Sequence, residues 1–171
     1  MSVTLTKQTS GKSSTKAVVR RKSIPRKLKN AIGGVVAYCV RGPVGNVSFP
    51  SSKLVEMLRV GLPVRELNDL QATLGVPMEK LVPMLGISKA TLHRRKTAGR
   101  LDQAESDRVV RFAKLMGKAV EVMESDENAR QWLTSPQFGL GGSVPLEYAE
   151  TEVGAREVEN LLGRIEYGVY S

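Results

Sequence analysis

Leu81-Val82-Pro83-Met84-Leu85-Gly86-Ile87-Ser88-Lys89-Ala90-Thr91-Leu92-His93-Arg94-Arg95 reads as two short helices meeting at a glycine. The first half is apolar. Gly86 supplies the conformational freedom that a steep turn needs. Ser88 is placed to cap the second helix, and Gly99 to end it. From Gly86 to Arg100 there are five Lys/Arg (Lys89, Arg94, Arg95, Lys96, Arg100), one His and no acid. An acid-free surface helix after a tight turn is the form of a helix-turn-helix whose second helix enters a major groove. Lys89, Thr91, His93, Arg94, Arg95, Lys96 and Arg100 are the expected DNA-contacting residues, with base reading placed on Lys89, Thr91 and His93. Pro83 conflicts with a regular first helix, so that helix either begins after Pro77 or is kinked.

Helical periodicity extends outward on both sides. Leu67, Leu70 and Leu74 recur at steps of three and four, with Gly75 as the closing residue. Asp102 and Glu105 form an acidic capping box opening a long helix through Val109, Phe112, Met116, Ala119, Val120 and Met123. Asp126 is read as the cap of a helix carrying Ala129, Trp132 and Leu133. Thr151 is read as the cap of a last one with an apolar face of Val158, Leu161, Leu162, Ile165 and Val169. No strand alternation follows residue 54, so the body is expected to be all-α. Residues 1–53 are expected to be a basic, flexible arm, with 31–53 as turns around short extended pieces. Residues 54–124 would hold the helix-turn-helix, and 125–171 a second small helical unit.

The 171 residues carry 26 Lys+Arg and 17 Asp+Glu, a net charge of +9. The charge is graded along the chain. Residues 1–53 hold eleven bases and no acid, 54–120 are net +5, and 121–171 are net −7. A basic front and an acidic rear suggest two partners of different kinds, one of them nucleic acid. One cysteine, Cys39, rules out an internal disulfide or a thiolate metal cage. The single His93 lies among Arg94, Arg95 and Lys96, a poor setting for a general base. Neither catalysis nor a metal or cofactor is expected. Gly141-Gly142 lacks the strand and the Lys of a phosphate loop and reads as a turn. The run Ala31–Val40 is too short to cross a bilayer. A cytoplasmic protein is expected, although the acid-free, Ser-rich start also fits an organelle transit peptide.

Glu166-Tyr167-Gly168-Val169-Tyr170-Ser171 ends the sequence on two tyrosines and a valine, a composition suited to a protein interface or to packing back on its own domain. Here the chain resembles the antitoxins of the Xre/MbcA/ParS class, which pair with RES-domain toxins. The resemblance rests on Leu85 to Arg95, Glu105 to Arg111, Ala129 to Leu133, Leu140-Gly141-Gly142-Ser143-Val144-Pro145-Leu146, and Gly163 to Ser171. It begins near Gly61 and leaves the basic arm unexplained.

The resemblance implies a non-enzymatic antitoxin of a type II pair. Its C-terminal domain would block a toxin whose RES fold consumes NAD, and its helix-turn-helix would bind the operon's own promoter. A homodimer, or a larger assembly with the toxin, would be the working form. Glu157, Arg164, Tyr167, Gly168, Tyr170 and Ser171 are the expected toxin-contacting residues. From the residues themselves, the free carboxylate of Ser171, with Tyr170 and Tyr167 behind it, is expected to enter the cleft that takes the anionic dinucleotide. A stand-alone helix-turn-helix regulator is the alternative, and a neighbouring RES-type reading frame would discriminate between them.

Overall fold

The computed structural model describes residues 34–42 and 50–169. The expected arm up to residue 33, the turns between 43 and 49, and Tyr170 and Ser171 lie outside them. Nine α-helices are found among the described residues. They are α1 (Val35–Arg41), α2 (Ser51–Val60), α3 (Arg65–Leu74), α4 (Met78–Met84), α5 (Lys89–Ala98), α6 (Gln103–Met123), α7 (Asp126–Thr134), α8 (Pro145–Tyr148) and α9 (Glu152–Glu166). A 3-10 turn, Phe138–Leu140, links α7 to α8. Two isolated bridges, Pro63 with Arg100 and Gln137 with Ser143, are the nearest approach to sheet among the described residues. The body is all-α.

The caps read from sequence form locally. Ser88 accepts from the Thr91 N–H, and Thr151 from the Gly154 N–H. Asp102 and Glu105 exchange both bonds of the capping box. Gly75 and Gly99 close α3 and α5 in the left-handed conformation. One cap moves by a residue: Ser125, not Asp126, accepts from Asn128 N–H, and Asp126 stands in the first turn of α7. There its charge still complements the helix dipole. The Pro83 conflict is settled by length. Helix α4 starts after Pro77 and spans seven residues, with Pro83 exposed in its last turn.

Helix α6 is the axis of the core. It buries Val109, Val110, Phe112, Ala113, Leu115, Met116 and Ala119. Against it pack Leu67, Leu70 and Leu74 of α3, Leu133 of α7, and Val158 and Leu162 of α9. Burying each such side chain contributes about 1.5–3 kcal/mol. Val169 lies beyond the end of α9 and is exposed, so the last residue of the expected apolar face does not join the core.

The stretch 31–53 is corrected where it is described. Residues 35–41 form a helix instead of an extended piece, and α2 begins at Ser51 instead of Leu54. Val35, Val36 and Val40 are buried against the body, so this part of the expected arm belongs to the core. No side chain within α1 caps it. Glu66 of α3 does so from thirty residues away, accepting the Val36 N–H at 3.1 Å. Two glycines admit α1. A Cβ at Gly34 would strike the Glu66 carboxylate, and one at Gly117 would strike the backbone at Cys39. Arg41 reaches Asp126 at 3.6 Å, so α1 touches α3, α6 and the start of α7.

Candidate functional site

The glycine turn before α5 is built from both sides. Gly86 has φ +65°, and Arg108 of α6 lays its guanidinium over it, donating to the Leu85 carbonyl at 2.9 Å. Beyond Ser88, α5 buries no residue at all. Leu92 packs half-buried against the core, and polar bonds fasten the rest. Arg95 donates through Nε to both Glu105 oxygens, at 3.0 and 2.7 Å, and through Nη2 to Asp102 at 2.6 Å. The Glu105 carboxylate, the largest influence, raises the Arg95 pKa above its ordinary value and keeps the cation fixed there. Arg100 donates to the Gly61 carbonyl at 2.7 Å.

The seven residues expected to face DNA therefore divide. Thr91 is half-buried, and its N–H and hydroxyl engage Ser88. Arg95 and Arg100 are occupied with internal bonds, so they position α5 and are not free cations. Lys89, His93, Arg94 and Lys96 are exposed, and their side chains have no partner among the described residues. These four keep the geometry for a polyanion.

The second site lies at the far end of α6 and on α9. Lys118 binds Glu166 at 2.6 Å and Glu121 at 3.3 Å, fastening the last turn of α9 to α6. The Glu166 hydrogen bond is the main cause of a raised Lys118 pKa. Past that clamp Gly168 turns with φ +64°, and Tyr167 and Val169 are 78% and 54% exposed. Arg164 is half-buried, and its carbonyl accepts the Val169 N–H at 2.9 Å. Glu157 is exposed on the same helix, 3.5 Å from Asn160 Nδ2.

Sequence reading missed Phe138, which is 100% exposed. Its turn is held by its own backbone. Gln137 N–H donates to Ser143 O at 3.0 Å, and Gly142 N–H to Gln137 O at 2.9 Å. Gly139 lies against the Leu161 side chain of α9, which a Cβ there would have to push aside. A bare phenyl ring on a braced turn is an uncovered apolar group of the kind interfaces use. The signal was an aromatic between Gln137 and three glycines, a place where nothing local can cover it.

These features define a helical two-module protein, with a helix-turn-helix bearing free cations and a second module bearing uncovered aromatic groups. Comparison with known proteins agrees with that division. The family model for the antitoxin Xre-like helix-turn-helix domain matches residues 53–114. That for the antitoxin Xre/MbcA/ParS C-terminal toxin-binding domain matches residues 118–168. Antitoxin Xre of Yersinia enterocolitica is 35% identical over 130 residues, covering 73% of this chain and 88% of its own. Antitoxin Xre of Photorhabdus laumondii is 36% identical over the same shares. A Prs ADP-ribosylating antitoxin of a Sphingobium species is 24% identical over 127 residues, covering 68% and 80%.

The chain belongs to the Xre antitoxin family, as an antitoxin with a helix-turn-helix and a toxin-binding domain. The second matched stretch begins inside α6, so the last turns of that helix belong to the toxin-binding module. Helix α1 lies ahead of both stretches. Among the described residues no helix is long and apolar enough to cross a membrane.

Proposed function

We propose that this antitoxin neutralises a RES-domain toxin that consumes NAD, and represses its own operon through the helix-turn-helix. The carrying observation is the tip of α9, where Tyr167 and Val169 stand uncovered just beyond the Lys118–Glu166 clamp. A cleft that holds an anionic dinucleotide offers cationic and hydrogen-bonding groups. Tyr167 and Val169 offer such a cleft uncovered apolar area and a phenolic hydroxyl. Gly168 lets the tip bend into it. Glu157, Arg164 and Phe138 then anchor the domain around the entrance.

On the other side, Lys89, Arg94 and Lys96 meet phosphates, and His93 with Lys89 reaches base edges in the major groove. Arg95 and Arg100 hold the helix in place for them. A dimer, alone or within the toxin complex, would present two such helices to two half-sites.

The test is co-expression with the neighbouring reading frame, purification through one partner, and an NAD-consumption assay. Deleting Tyr170 and Ser171 is expected to restore NAD consumption while the complex still forms. A truncated chain that inhibits as well as the full one would overturn the tip as the plug.

A further inference from the structure

We infer that a hollow beside Trp132 receives an arginine side chain of the toxin, its guanidinium stacked on the indole and held by the oxygens around it. The inference rests on the toxin-binding role of residues 118–168 and adds a second contact to the tip of α9. Helix α7 sets Asn128, Gln131 and Trp132 on one face at steps of three and four, and Ser135 follows three residues on. With Met123 at the end of α6, and Gln137, they line a hollow of about 360 Å³. That is room for one long side chain, not for a helix. Gln137 ties the lining together, donating through Nε2 to the carbonyls of Trp132 and Ser135 at 2.9 and 3.1 Å.

The chemistry of the lining selects the occupant. The side-chain amides of Asn128 and Gln131 have no partner among the described residues, so their oxygens are free to accept. No Lys or Arg lines the hollow. Arg130 of the same helix is turned to the Thr73 carbonyl at 2.7 Å. Glu124 follows Met123 directly, exposed and without an ion pair among the described residues. Among those residues it is also the one non-glycine with positive φ, +56°. Glycine would fit that backbone with less strain, and such strain collects where a side chain has a task. Here the side chain sets a carboxylate at the lip. A guanidinium brings five donors in a flat fork, sheds water more readily than an ammonium, and favours the face of a Trp. Phe138, next to Gln137 and bare, offers apolar cover to the methylene stem. Residues 121–171 carry ten acids and three bases, so the sign of the whole unit agrees.

Trp132 is the only tryptophan of the chain, so its emission reports on the hollow directly. The full chain is titrated with Nα-acetyl-arginine amide and, as control, Nα-acetyl-norleucine amide. A saturable change in the millimolar range is expected with the first and not with the second. No difference between the two overturns the inference. A second arm uses Glu124→Gly and the protein of the neighbouring reading frame. The melting temperature of the variant should rise by about 2 °C or more, while its affinity for that protein falls about tenfold. A role in the fold alone would not move the two in opposite directions. A more stable variant that binds as tightly as the native chain overturns the arginine contact. A native chain that takes up the arginine probe but does not copurify with a RES-type neighbour sinks the RES reading and leaves the hollow standing.

Discussion

Helices α5 and α6 are separated by only four residues, yet opposite forces hold them. Helix α6 buries nine of its residues, while α5 buries none. The first is placed mainly by apolar area, the second by the half-buried Leu92, a serine cap, a glycine stop and an arginine clamp. Burial would have consumed the very side chains that α5 offers. By holding α5 through these few groups, the chain leaves Lys89, His93, Arg94 and Lys96 in solvent. Helix α5 is thus held through groups other than these four.

That contrast can be broken most severely at Phe112, which is fully buried on α6. Phe112→Ala is expected to cost about 3–5 kcal/mol in denaturant unfolding. Arg94→Ala should leave the midpoint where it is and register only as lost DNA affinity. Next comes Arg95, the residue of α5 that behaves as though it belonged to α6. Its removal leaves Glu105, 5% exposed, without its cation. Arg95→Ala should cost about 1–3 kcal/mol and weaken DNA binding indirectly. Native stability in that variant would return Arg95 to the set of free cations.

A smaller effect sharpens the role of α1. Gly117→Ala adds a Cβ that meets the backbone at Cys39 and Val40. The gain in helix propensity, about 1 kcal/mol, is expected to be outweighed by overpacking of about 1–3 kcal/mol. A lower melting temperature for the variant is the measurement. A higher one would mean that α1 is loosely seated.

The smallest effect is a slope. Burial, opposed by the Val36 and Val35 N–H groups, raises the Glu66 pKa above its ordinary 4.5. A raised acid binds its proton more tightly in the folded chain. Its stabilising contribution is complete below 4.5 and fades as pH rises through the folded value. Glu66→Gln keeps an acceptor for Val36 and abolishes the titration. Melting temperatures measured from pH 4 upward should decline less in the variant than in the native chain. Identical pH profiles would remove Glu66 as the cause.

What the sequence made legible was local. Ser88, Thr151, the Asp102–Glu105 box, Gly75 and Gly99 each act within three or four residues, and each forms where the pattern put it. Helix α1 was illegible for the opposite reason. Val35, Val36 and Val40 beside glycines favour extended chain, and the helix exists because Glu66 and α6 supply its cap and its cover from afar. The site shows the same division. The acid-free character of α5 was plain, but the bonds occupying Arg95 and Arg100 come from Glu105, Asp102 and Gly61, which no spacing within α5 announces. Phe138 was passed over because exposure is a property of the folded turn.

Helix α6 also sets an angle. It runs unbroken for 21 residues, about 32 Å. Glu105 near its start grips α5 of the helix-turn-helix, and Lys118 near its end grips α9 of the toxin-binding domain. At about 100° per residue, those two grips point roughly 140° apart around a common axis. The modules are therefore keyed by rotation as well as by distance. One residue inserted between the grips would swing one face by about 100° relative to the other, while four would bring it back to within about 40°. Length along this helix is a dial of azimuth between the two modules, and it turns only in whole residues.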